Sequence, residues 1–121
     1  MIPIFAICAA DPGVQLLLGQ SPTRLYQFGM APSIPVAPYA VWRQVGGVPA
    51  AYLGNRPDVD SYTLQVDVFA KTPQDSRQVV DALRDALEPH CYISSWGMEG
   101  RDPQTELHRI NFDVDFIIRR Q

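Results

Sequence analysis

The sequence predicts an α+β fold: an antiparallel sheet of four to five strands with helices packed on one face. Three observations carry that expectation. In Ser61–Ala70, "SYTLQVDVFA", Tyr62, Leu64, Val66, Val68 and Ala70 fall on one side of a strand, and Thr63, Gln65, Asp67 and Phe69 on the other. Next comes a helix start, with Thr72 as hydroxyl N-cap, Pro73 at the first helical position and Asp75 at the third. Its apolar stripe of Val79, Val80, Leu83 and Leu87 lies largely opposite Arg77, Asp81, Arg84, Asp85 and Glu88, and Pro89 ends it. Last, His108 to Ile118 alternates again, with Ile110, Phe112, Val114 and Phe116 opposite Arg109, Asn111, Asp113 and Asp115. Half-polar strands around one amphipathic helix describe a sheet covered on a single side.

The remaining elements follow in chain order. Pro3 suits the first turn of a helix containing Ile4, Ile7 and Cys8. Asp11 and Pro12 restart a short helix through "VQLLL", which Gly19 terminates. Arg24–Phe28 reads as a short strand, and Gly29–Pro38, rich in proline, as an extended connector. Tyr39–Val45 is strand-like. Gly46–Asp60 reads as a long loop or a loosely paired hairpin arm, expected to be mobile, within a single domain spanning 1–121. Its Val48, Tyr52 and Leu53, with Arg56, are the candidate contacts to a partner or another copy. His90–Glu99 is a further strand, and "GRDPQ" turns the chain into the last one.

Composition narrows the function classes. Hydrophobic residues make up 46% and charged residues 19%, with a net charge of −3, an ordinary globular balance. The 10 Lys and Arg are outnumbered by 13 Asp and Glu and do not cluster, which argues against a nucleic-acid clamp. The adjacent pair Arg119-Arg120 reads as a solvated tail. Cys8 and Cys91 fit no ligand or redox spacing, so the expectation is a reducing cytoplasm. The apolar start lacks a basic leader and is too short to span a membrane, and it reads as a core helix.

The acidic residues are the natural candidates for chemistry. If the two alternating strands are neighbours, Asp67 could face Asp113 or Asp115, and such a pair can hold a proton or a metal ion. A small metal-dependent hydrolase is the reading that follows. The alternation already accounts for all three as the polar face of a sheet, and that reading is preferred. Adjacent His90 and Cys91 would point to opposite faces of a strand and cannot share an ion. No phosphate-binding glycine loop, nucleophile elbow or Cys-His arrangement is visible. "YAVWR" is a weak stacking platform, and Trp42 and Trp96 read as packing residues.

From residue 4 to 118 the chain resembles one family, the tail-completion or tail-terminator proteins of long-tailed bacteriophages with non-contractile tails. The carrying segments are "AADPGVQLLLG", "RLYQFGMAP", "PVAPYAVWRQVGGVP", "DSYTLQVDVFAKTPQDSRQVVDALRDALEP" and "ELHRINFDVDFIIR", with Leu64–Leu87 the most specific. The resemblance implies a homo-oligomeric ring, usually six-fold, that caps the head-proximal end of the tail tube, stops its polymerisation and presents the head-joining surface. Its implied partners are itself, the major tail tube protein and a head-completion or neck protein. DNA would pass through the channel without specific binding, and no membrane, cofactor or catalysis is implied. Such a protein is assembled in the host bacterial cytoplasm and resides in the virion. Asp67, Asp113 and Asp115 would then line the bore or a subunit boundary. The alternative within the same setting is another neck component, such as a head-closing stopper.

Overall fold

The computed structural model describes residues 2–49 and 58–120. The elements run α1 (Ile4–Ala9), α2 (Pro12–Leu18), β1 (Leu25–Gln27), β2 (Tyr39–Pro49), β3 (Val59–Ala70), α3 (Pro73–Leu87), β4 (Tyr92–Arg101) and β5 (His108–Arg119). The strands form one 5-stranded sheet in the order β1-β2-β3-β5-β4. β3 therefore sits at the centre, and β5 returns beside it rather than β4. The fold is α+β, as the alternation of the long strands required.

α3 is built by its own sequence. The Thr72 hydroxyl accepts a hydrogen bond from the Asp75 backbone N–H at 3.1 Å, filling a donor the first turn leaves free. Val79, Val80, Leu83 and Leu87 are buried, joined by Ser76 and Ala86. They close over Leu64, Val66 and Val68 of β3 and Phe112, Val114 and Phe116 of β5, all buried. On the outer side, Arg84 pairs with Asp81, Asp85 and Glu88; these ion pairs are exposed and add little. The same capping chemistry starts α2, where Asp11 Oδ1 accepts from Val14 N at 3.1 Å. Gly19 then leaves the helix with φ +82, a region that suits glycine. α1 and α2 pack beside α3 and bring Ile4, Cys8, Val14 and Leu18 into the same core.

Three expectations are corrected. β1 runs parallel to β2, not antiparallel, so the sheet is mixed. The connector from 28 to 38 is long enough to carry the chain back for a parallel return. Arg24 pins that arrangement, donating from Nε to Pro38 O at 2.9 Å and from its NH2 group to Leu17 O at 3.1 Å. The strand expected over His90–Glu99 begins at Tyr92 and reaches Arg101. His90 and Cys91 instead donate their backbone N–H groups to Leu87 O, closing the end of α3. Finally, Arg119-Arg120 is no free tail. Arg119 ends β5, and Arg120 grips Asp60 through two 2.8 Å hydrogen bonds. That fork holds the Asp60 carboxyl below its ordinary range.

The arm begins as a paired hairpin. β2 stays in register with β3 to Val48↔Ser61 and Pro49↔Asp60, after a bulge between Gln44 and Gly46. Val48 is exposed on it. Tyr52, Leu53 and Arg56 lie outside the described residues. Among the described residues, no helix is long and apolar enough to cross a membrane.

Candidate functional site

All three helices lie on one side of the sheet, and part of the other side, at Tyr39, Val41, Asp67 and Phe69, is flanked by the connector over 28–35. On β3 that side carries Thr63, Gln65, Asp67 and Phe69, and on β5 it carries Arg109, Asn111, Asp113 and Asp115. The sequence places Asp67, Asp113 and Asp115 on one face of neighbouring strands, and the structure brings them there. It does not set them against one another. The register puts Asn111 opposite Asp67, Gln65 opposite Asp113, and Thr63 opposite Asp115. The expected cross-strand carboxylate pair is thus replaced by alternating acids and neutral polar groups.

Each acid has its own partner. Asp115 accepts from the Thr63 hydroxyl at 2.6 Å, and Asp113 from the Ser95 hydroxyl at 3.2 Å. Asp67 accepts from an Arg109 guanidinium nitrogen at 3.2 Å and from Gln65 Nε2 at 3.5 Å. Gln65 in turn accepts from Arg43 at 3.0 Å, extending the ladder onto β2. Sequence reasoning named the acids but not Arg43, Thr63, Gln65 and Ser95 as their supports. Register alone reveals them, and no local pattern encodes it. Arg109 and Arg120 are engaged with Asp67 and Asp60 of their own chain.

The face turns aromatic towards the start of β2. Tyr39 stacks on Phe69 with ring centroids 4.9 Å apart, and the Arg109 guanidinium lies over the Phe69 ring at 5.7 Å. Arg109 Nε is buried without a hydrogen-bond partner, its cation resting on the ring instead. Beside this cluster, a cleft of about 260 Å³ is lined by Glu99, Arg101, Asp102, Arg109 and Asn111. Here too the ionic groups pair off, as Arg77 with Glu99 and Arg101 with Glu106. Among the described residues, no three His, Cys, Asp or Glu side chains gather as metal ligands would. A hydrolytic metal site built on Asp67, Asp113 and Asp115 lacks the convergent geometry it needs.

The thiols belong to the core. Burial pushes Cys8 up to about 12, helped by nearby Cys91 and Asp11; burial also pushes Cys91 up to about 11, helped by Asp115 and Glu88. Both ordinary values are 9.0, so the folded state keeps its protons longer than the unfolded one. Their contribution to stability is present below pH 9 and is lost as pH climbs towards 11 and 12. Iodoacetamide at pH 8 is expected to modify the folded chain at least about a hundredfold more slowly than the urea-unfolded chain, because the thiolate is the nucleophile. Equal rates would show that the thiols are not held as the structure places them.

The helices thus lie on one side of a mixed sheet, and a ladder of paired polar groups lies on the other. The family model for tail completion protein gp17 matches residues 2–119. The chain belongs to that family of structural virion proteins and is a component of phage-like particles that assembles with other tail and neck proteins. A solved chain from the "Virion of native gene transfer agent (GTA) particle" shares the fold, with a TM-score of 0.63 at 12% identity, over 96% of this chain and 91% of that one. A sequence comparison with the curated proteins finds no match.

Proposed function

We propose that this chain is a tail terminator: copies of it form a ring, six-fold in the usual case, on the head-proximal end of the tail tube. The ring stops polymerisation of the major tail tube protein and presents the surface that joins a head-completion or neck protein. The family match over residues 2–119 carries this reading. The role needs no catalysis and no cofactor, and the pairing of every acid on the open face with its own polar partner is in keeping with that. The helix-free face, with Asp67, Asp113 and Asp115, lines the bore, where negative charge lets DNA pass without adhering. Val48, Tyr52, Leu53 and Arg56 on the 46–60 arm contact a neighbouring copy or the tube.

Electron microscopy of particles produced without this chain tests the proposal. Over-long or uncapped tails beside filled heads are expected. Tails of normal length with leaking heads would move the chain to a stopper position in the neck, and normal particles would remove it from assembly.

A further inference from the structure

The connector between β1 and β2 is a strap across one end of the helix-free face. It flanks Tyr39, Val41, Asp67 and Phe69 and reaches Thr105 in the turn between β4 and β5. Its two ends are fastened. Phe28 donates its backbone N–H to Trp42 O at 2.8 Å and lies under the Arg43 guanidinium at 5.8 Å, while Pro38 O accepts from Arg24. Between these ends, residues 31–37 make no hydrogen bond to any described residue. Pro32 and Pro35 bias Ala31 and Ile34 to extended backbone, so little order is lost when a partner docks. Pro35 and Ala37 are half-buried, whereas Ile34 and Val36 are 88% and 67% exposed. Apolar side chains left uncovered on an extended backbone with free donors and acceptors mark a surface that an added extended segment pairs with.

The charge beside the strap says what kind of segment fits. A cavity of about 450 Å³ opens between the strap and the β4–β5 turn, with Ile34, Val36, Tyr39, Lys71, Thr105 and Leu107 on its walls. Lys71 is the only lysine in the chain; it is exposed, and among the described residues it makes neither an ion pair nor a hydrogen bond. By contrast, Arg77, Arg84, Arg101, Arg109 and Arg120 each hold a carboxylate of their own chain. Apolar walls with one free ammonium suit an aliphatic side chain accompanied by a carboxylate. The uncovered edge strand of a second copy does not supply that pair, because Tyr92–Met98 of β4 is uncharged and Glu99 is held by Arg77. We propose that the strap takes an extended, acid-bearing segment of a different protein of the particle. The backbone of that segment pairs with residues 31–37, its aliphatic side chain packs beside Ile34 and Val36, and its carboxylate meets Lys71. The contact goes beyond the ring reading and does not depend on it, since it needs only a place in the particle. Asp113 and Asp115 lie further along β5, towards the arm, and stay uncovered by the strap.

The test places photo-reactive benzoylphenylalanine at Ile34 of the full chain, and purified particles are irradiated. The expected link joins position 34 to another virion protein, at a peptide that carries Asp or Glu. Lys71→Glu in the same labelled chain is expected to lower the yield per incorporated chain at least about tenfold, or to keep the chain out of particles, because it sets two like charges together; Lys71→Arg should preserve the yield. Lys71 is exposed, so both variants should melt at the temperature of the parent chain. Exclusion of the Ile34-labelled chain from particles that accept the same label at exposed Leu16 supports the contact as well. A link to another copy of this chain, a linked peptide without an acid, no link at all, or equal yields from Lys71→Glu and the parent would overturn it. None of these outcomes bears on the tail-terminator reading, which tail length in particles lacking the chain decides.

Discussion

Replacing Phe112 by Ala is expected to cost about 3–5 kcal/mol of folding stability, the usual range for deleting a fully buried aromatic ring. Phe112 has no exposed surface; it lies opposite Val66 on β3, and its ring touches Trp96 on β4 with centroids 5.7 Å apart. The cavity would open between the sheet and α3, where Leu83 and Val79 cannot follow without leaving their helix. Domains of this size hold roughly 5–15 kcal/mol in all, so the variant loses a large share and its Tm falls on the order of 10–20 °C. Ile117 is the control on the same strand: it faces away from the helices and is exposed. Ile117→Ala should change stability by no more than about 0.5 kcal/mol. Thermal melts showing equal losses for the two variants would mean that the faces of β5 are assigned the wrong way round.

That contrast was legible before any coordinates, because alternation and capping are local. Val66 and Phe112 declare their face by period two, and Thr72, Pro73 and Asp75 declare the start of α3 within four residues. Long-range pairing is what the residues do not declare. β1 has only three residues, and its direction depends on Arg24 reaching Pro38 and Leu17. β4 is broken by register shifts, and Gly97 sits so close to Asn111 that a Cβ would overlap its side-chain amide. That approach lets Asn111 Oδ1 accept from Met98 N at 3.1 Å, a contact no sequence window could reveal. The candidate face divides in the same way. Its acids were visible as the polar half of two strands, but whether Asp67 meets Asp113 or Asn111 is a matter of register, fixed by pairing over more than forty residues of intervening chain. Arg120 reads as a tail residue for the same reason, since its partner Asp60 lies at the far end of β3 in sequence.

Asp113→Lys with Asp115→Lys is expected to leave a folded chain that still assembles but slows DNA release from the particle. The two carboxylates are half-buried on the open face and are held by Ser95 and Thr63. Each substitution exchanges one negative charge for one positive charge, and the proposed ring would multiply the change by its copy number. On the proposed bore-lining reading, the lysines meet passing phosphates, and every such contact releases counterions and adds salt-dependent affinity. Ejection should therefore be slowest at low salt and recover as the ionic strength rises. Asp113→Asn with Asp115→Asn removes the charge but keeps a hydrogen-bonding group beside Thr63 and Ser95, so assembly should be unchanged and ejection close to normal. A subunit-boundary role gives the opposite pattern: the Asn variant would weaken the ring, and the Lys variant would block it before any DNA moved. Exposed lateral ion pairs would each contribute little, but their loss would repeat around the ring. Wild-type assembly, ejection rate and infectivity in the Lys variant would show that these acids are only solvated. The salt dependence is the deciding measurement, because a folding defect caused by the lysines would not be relieved by screening their contact with DNA.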